Sequence, residues 1–438
     1  MKGFHTNDKG LIKPLLRSAG VRNFAKLLSA NVVAQAIGLV VYPILTRMYA
    51  PDDFGLLNLF LSISGVLVIL ATAEYQYAIV LPKDDRQARA VVHVGLMVLT
   101  GVVALTAVSV AFSVPIARVF KSPDLVRYYW LMPVMVLVLG LWNLLNYWYI
   151  RREAYARISG YQMSQSVLAA GSKIGLGAGG SLKGGLIVSM VVAPLMSLII
   201  SVSLAWKKHI RPLLGGVDKA MCREVARTYR NFPVYSLPRS FVNMLAGQLP
   251  VLLLTPAFGA REVGFWSMAI LLGFSPVSML TRAMYQSLYQ TITVRVNDSV
   301  AIGGTFRRFT MMTLAAVVPA FAVLYWFLPQ LAQWFLGAEW DVTGEYIRWM
   351  LPWLCVNMLT ASTGFLADIF FKQRIGLLFE VLMAVLRTVG VVAGLLANSF
   401  VVAVAGYSIG SAVAVLAQYV WLMTLVRRYD RSLQTGGA

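Results

Sequence analysis

Five cations inside or beside the apolar runs of this sequence are its most informative residues. Arg239, Arg282, Arg387 and Lys173 fall within long apolar stretches, and Arg47 follows the first of them. A charge at the centre of a membrane helix costs about 2.5–3.5 kcal/mol on insertion scales, so each such group needs a partner or water. Guanidinium groups hold phosphate oxygens through paired donors, and lysine holds them as a point charge. A cavity containing Arg239 and Arg282, with Arg47 near its outer mouth, would suit an anionic lipid headgroup such as a diphosphate. Arg387 has another potential partner in Glu380, seven residues away on the same helix face. Lys173 and Arg282 lie nearer the ends of their stretches, where snorkelling competes with ligand binding. Glu74 and Glu380 are the candidates for ion coupling, though Glu74 reads first as an interfacial residue. Asp368 and Lys372, four apart, read as an ion pair.

Uncharged polar residues recur beside these cations at helical spacing. Asn31, Gln35, Gly38 and Tyr42 share one face of the first stretch, and Asn58, Ser62, Gly65, Thr72 and Gln76 share one face of the second. Ser236, Arg239, Ser240, Asn243 and Gly247 do the same in the seventh, and Ser275, Ser278, Arg282, Tyr285 and Tyr289 in the eighth. One such stripe is explained by small-residue helix packing with hydrogen bonds between helices. Four stripes, on the first two stretches of each half, point to the lining of one shared, water-filled cavity.

No catalytic constellation accompanies them. The sequence has no metal-ligand cluster, no nucleophile elbow and no phosphate-binding glycine loop. Cys222 and Cys355 supply neither a disulfide framework nor a metal motif, and His5, His93 and His209 are scattered. An enzyme is not expected, and neither is a cofactor or a metal.

The elements that must position these residues are membrane helices. The chain is 58% hydrophobic and 13% charged, and its mean hydropathy is +0.71. A soluble domain could not bury that much apolar surface. The net charge of +20 is attributed to loops facing anionic lipid rather than to nucleic acid. The first 22 residues are basic and polar, and no cleavable signal is expected. At about 20 apolar residues per crossing, the spans fall near 24–45, 55–80, 90–114, 127–150, 156–178, 184–206, 233–257, 263–290, 306–328, 346–370, 375–397 and 400–426. The fifth is the weakest, being rich in Gly and Ser and containing Lys173. Lys and Arg concentrate in the loops on one side, which places both termini in the cytoplasm by the positive-inside rule.

Asn23-Phe24 recurs as Asn231-Phe232, and Asp53-Phe54-Gly55 recurs as Glu262-Val263-Gly264. The copies lie near half the chain length apart and are separated by six spans, an even number, so they share one orientation. That describes a parallel repeat about an axis along the membrane normal. The expected organisation is a cytoplasmic segment 1–22, an N-lobe 23–206, a basic linker 207–230, a C-lobe 231–426 and a cytoplasmic tail 427–438.

The run NVVAQAIGLVVYPILTRMYAPDDFGLLNLFLSI, from Asn31 to Ile63, resembles the opening of the polysaccharide transporter family. These are the Wzx-type oligosaccharide-lipid flippases of the multidrug/oligosaccharidyl-lipid/polysaccharide exporter superfamily. Tyr77 to Lys83, Asn231-Phe232-Pro233 and Gly264-Phe265-Trp266-Ser267 are similar to family segments as well. The resemblance implies an all-α polytopic membrane protein with two six-helix lobes in a V that alternate access. It implies an undecaprenyl-diphosphate-linked oligosaccharide as substrate and a cationic cavity, in a monomer in the bacterial inner membrane. A polysaccharide polymerase and a chain-length regulator are the implied partners. Glu74-Tyr75-Gln76 and Gln248-Leu249 depart from the charged groups many members carry there, so an ion-coupling site does not transfer simply. The alternatives are a drug or organic-cation antiporter of the same superfamily, which calls for acidic rather than basic groups in its cavity, and a polymerase or ligase, which calls for a large outer loop.

Overall fold

The computed structural model describes residues 41–179, 184–213, 215 and 218–435. The basic N-terminal segment, most of the first expected span, and Asn23, Phe24, Asn31 and Gln35 lie outside the described residues. All regular structure among the described residues is helical. That is the outcome required in a hydrocarbon slab, where each backbone N–H and C=O must find its partner within the helix. The long helices are α1 (Pro51–Leu70), α2 (Asp85–Ser109), α3 (Leu131–Arg151), α4 (Tyr155–Ala178) and α5 (Gly185–Ala205). A short helix α6 (Lys219–Thr228) follows, and then α7 (Leu237–Phe258), α8 (Ala260–Asn297) and α9 (Gly303–Leu336). The last three are α10 (Asp341–Thr363), α11 (Gln373–Leu396) and α12 (Phe400–Thr435).

Ten helical stretches among the described residues are long and apolar enough to cross a membrane. The chain is a multi-pass membrane protein. The fifth expected span forms a continuous helix, α4, but its many Gly, Ser and Gln residues keep it out of those ten. The second expected span is not one helix. α1 stops at Leu70, and residues 71–80 form a turn and a short 3-10 segment. Ala73 and Glu74 break the helix with φ of 45° and 65°, a left-handed conformation uncommon for residues with a Cβ. Thr72 and Gln76 therefore lie beyond α1 and hydrogen-bond to each other across the turn.

The chain divides into two compact units. Among the described residues the first comprises 41–49, Phe60–Val119 and Pro123–Leu245. Its core sets Ala88 and Val91 of α2 and Trp148 and Tyr149 of α3 against Cys222 and Val225 of α6. The Trp148 indole N–H donates to the His209 carbonyl at 3.1 Å. The second unit comprises Ala50–Leu59, Phe120–Ser122 and residues 246–435. Its core joins Leu288 and Ile292 of α8, Phe306 of α9 and Leu422 and Val426 of α12. Asp430 of α12 secures the start of α9, accepting from the Ile302 and Gly303 amides at 2.8 Å each.

The repeated motif meets its own copy inside the second unit. A Cβ on Gly55 would strike the carbonyl of Ala260, and a Cβ on Gly264 would strike the carbonyl of Pro51. The repeat pairs residue 51 with 260 and residue 55 with 264, so the two contacts are reciprocal. Reciprocity is the mark of a two-fold relation, here within one chain. Trp340 fits edge-on against Phe54 and Phe265, with ring centroids 5.3 and 5.6 Å away.

Candidate functional site

The expected site residues fall into three settings. The most ordered surrounds Arg387, in the middle of α11. Its Nε donates to the Ser411 hydroxyl of α12 at 2.7 Å. Its guanidinium lies 5.1 Å from the Trp353 ring and 4.9 Å from the Tyr407 ring. Trp353 in turn stacks on Phe274, and Tyr407 meets Trp266 edge-on. Two rings thus face the half-buried cation, each backed by a second aromatic residue, and such cation–π contacts are worth about 0.5–1 kcal/mol at exposed sites and more as they are desolvated. The Nη groups of Arg387 have no hydrogen-bond partner among the described residues, so a fork of donors remains for an anion. The expected pairing of Arg387 with Glu380 does not form. Seven residues span about 10 Å of helix, the ring faces and Ser411 take the guanidinium, and Glu380 is exposed.

The second setting is the break after α1. Glu74 is buried, at 4% exposure. It hydrogen-bonds to Ser240 and lies in the field of Arg239, both in the first turn of α7. Arg239 is itself exposed, and it forms no ion pair with Glu74 among the described residues. Gln76 is buried and bonded to Thr72.

The third setting is a cavity of about 230 Å³ in the first unit. Lys173 of α4 lines it with Tyr42, Gln165, Ser166 and the apolar walls of Met190 and Pro194. The Tyr49 hydroxyl donates to the Lys173 carbonyl at 2.7 Å. The Lys173 ammonium has no hydrogen-bond or ion-pair partner among the described residues.

The remaining expected residues are dispersed. Arg282 on α8 and Asn243 on α7 are exposed, and Ser236 is half-buried in the turn before α7. Arg47 is exposed and donates to the Pro43 carbonyl at 2.6 Å. Asn58 and Ser278 turn back on their own helices, donating to Phe54 O and Ser275 O at 2.8 Å each. Ser62 is buried, and Tyr285 stacks on Tyr289 and packs against Phe365. Asp368 and Lys372 form no ion pair among the described residues. A short helix closes at Ile369 and Phe371 has φ of 54°, so the two are not on one helix.

A family of polysaccharide biosynthesis proteins matches residues 44–345, more than half of the chain. The chain belongs to that family. Its fold is that of two solved membrane proteins. One is lipid II flippase MurJ in an inward closed conformation, with TM-score 0.70 and 9% identity, covering 93% of this chain and 90% of that one. The other is a multidrug resistance MATE family transporter of the MOP superfamily in an inward-facing conformation. Its TM-score is 0.68 at 13% identity, covering 91% of this chain and 96% of that one. Among curated proteins none matches in sequence. The resemblance read from the motifs therefore holds at the level of the family, and the two solved proteins that share the fold are a transporter and a flippase.

The sequence reading missed Arg151, at the end of α3. Its guanidinium donates to the carbonyls of Pro82 at 2.6 Å and of Ile79 and Lys83 at 3.3 Å each. It also pairs with Asp85 at 3.1 Å while Arg152 pairs with the same carboxylate at 3.0 Å. Arg151 thereby fixes the exit of the turn that carries Glu74. Its only sequence signal was an Arg-Arg pair at a span end, which reads as a topology signal.

Proposed function

We propose that this protein moves undecaprenyl-diphosphate-linked oligosaccharide from the inner to the outer leaflet of a bacterial inner membrane by alternating access. The match to the polysaccharide biosynthesis family carries this reading. A fold shared with a lipid II flippase supports it. The intramembrane charges are mainly basic, which suits a diphosphate and not an organic cation. Arg387 is the group best prepared to meet phosphate oxygens, because three contacts orient it and leave its Nη donors unused. Arg239 and Lys173 are proposed as further contacts along the path, with Glu74 tuning Arg239. Both termini are cytoplasmic in this reading, and a polymerase and chain-length regulator act downstream.

The test is deletion of the gene, followed by analysis of the lipid-linked glycan pool and the surface polysaccharide. Loss of surface polymer with lipid-linked repeats held on the cytoplasmic leaflet supports the proposal. Unchanged polymer together with new sensitivity to cationic drugs replaces it with a multidrug antiporter.

A further inference from the structure

A second pocket in the first unit is lined by none of the residues discussed above as a transport site. α2 presents Arg86, Arg89 and His93 at spacings of three and four, on one face. Gly215, Asp218 and Met221 close the other side, leaving a cavity of about 310 Å³. Arg89 is oriented by donating from Nη1 to the Pro212 carbonyl at 3.2 Å. His93 is buried, and its Nε2 lies 2.8 Å from the Leu213 carbonyl. Because a carbonyl only accepts, that nitrogen carries the proton. The Arg86 guanidinium makes no hydrogen bond among the described residues.

The charge of this pocket selects its ligand. Asp218 is the one acid in the lining, and its Oδ1 already accepts from the Ala220 and Met221 amides at 3.0 and 3.1 Å. Nearby Asp84 caps α2 through the Arg86 amide, and Asp85 is held by Arg151 and Arg152. The two guanidiniums and the one carboxylate of the lining leave a single positive charge between them. That matches a phosphodiester, which carries one negative charge, and falls short of a diphosphate.

Position fits the same ligand. α6 buries Cys222 and Val225 in the core of the first unit and exposes Lys219, Arg223 and Arg230 at and beyond its ends and outer face. An amphipathic helix of this kind lies in the headgroup layer, and basic pockets at that depth take acidic lipid heads. We propose that the pocket formed by Arg86, Arg89 and the start of α6 binds the phosphodiester headgroup of an anionic glycerophospholipid. The bound lipid would tie α6 to α2. This inference is independent of the transported substrate.

The test uses the purified full chain in phosphatidylcholine nanodiscs with or without phosphatidylglycerol, reading the thermal unfolding midpoint and the lipid retained in native mass spectra. Phosphatidylglycerol is expected to raise the wild-type midpoint by about 5 °C, as binding to the folded state alone requires. Arg86→Gln, which breaks no side-chain hydrogen bond among the described residues, and Arg86→Gln/Arg89→Gln are expected to lose that rise. Lys219→Gln/Arg223→Gln removes as much charge outside the pocket and is expected to keep it. Equal loss in both double variants would mean diffuse surface attraction and would overturn the site. So would a wild type indifferent to phosphatidylglycerol. If inorganic phosphate in phosphatidylcholine discs reproduces the whole rise, the ligand is free phosphate and the lipid assignment is overturned.

Discussion

A half-buried arginine can be present for stability or for function, and Arg387 allows the two to be separated. Replacing a partly desolvated charge with an apolar side chain of similar length is often neutral or stabilising, because the desolvation cost disappears with the charge. Arg387→Met is therefore expected to leave the thermal midpoint equal to or above that of wild type while abolishing surface polysaccharide in the complemented deletion strain. Arg387→Lys keeps the charge but loses the planar fork and the ring contacts, so reduced polymer at a normal protein level is expected. A large drop in stability for Arg387→Met, with protein lost from the membrane, would make the residue structural. Chemistry at Cys222 runs in the opposite sense. Burial, helped by the neighbouring Asp218, pushes its thiol up from the ordinary range, so little thiolate exists at neutral pH and little of it is reachable. Maleimide labelling of Cys222 in folded protein at pH 7.0 is expected to be slow, and to become complete only after denaturation.

At the scale of elements, the least regular segment is the best secured. Residues 71–80 leave the helix through two left-handed residues, and Arg151 gathers carbonyls at the exit of that segment. Three carbonyl bonds and a carboxylate pair on a side chain only 11% exposed place the expected cost of Arg151→Ala at about 3 kcal/mol. The check is a lowered thermal midpoint, with proteolysis newly focused near Pro82. This break was not legible in the sequence. Ala71-Thr72-Ala73-Glu74-Tyr75-Gln76 contains no Gly or Pro and continues the apolar run, so hydropathy extended the helix to residue 80. Hydropathy did locate α2, α3, α5 and the helices from α7 onward, because an uninterrupted apolar run must satisfy its backbone as a helix in lipid. The candidate cations were legible as charges in apolar runs. Their partners were not, because Trp353, Tyr407 and Ser411 reach Arg387 from other helices, and spacing along one helix pointed to Glu380 instead.

At the scale of the whole molecule, the weak repeat has a consequence that a single-copy feature would lack. Gly55 and Gly264 occupy equivalent places, each with the carbonyl of the other copy where a Cβ would stand. Backbone cannot yield there as the end of a flexible side chain can. Overpacking a tight contact costs about 1–3 kcal/mol or more, and the reciprocal geometry requires that cost to be the same on both sides. Gly55→Val and Gly264→Val are therefore expected to lower the midpoint of detergent-purified protein by similar amounts. The double variant is expected to fall short of their sum, since the first substitution already separates the two helices that the second would push apart. Two unequal, fully additive losses would show that the copies pack independently, and the pseudo-two-fold relation would then be a likeness of sequence without a shared contact.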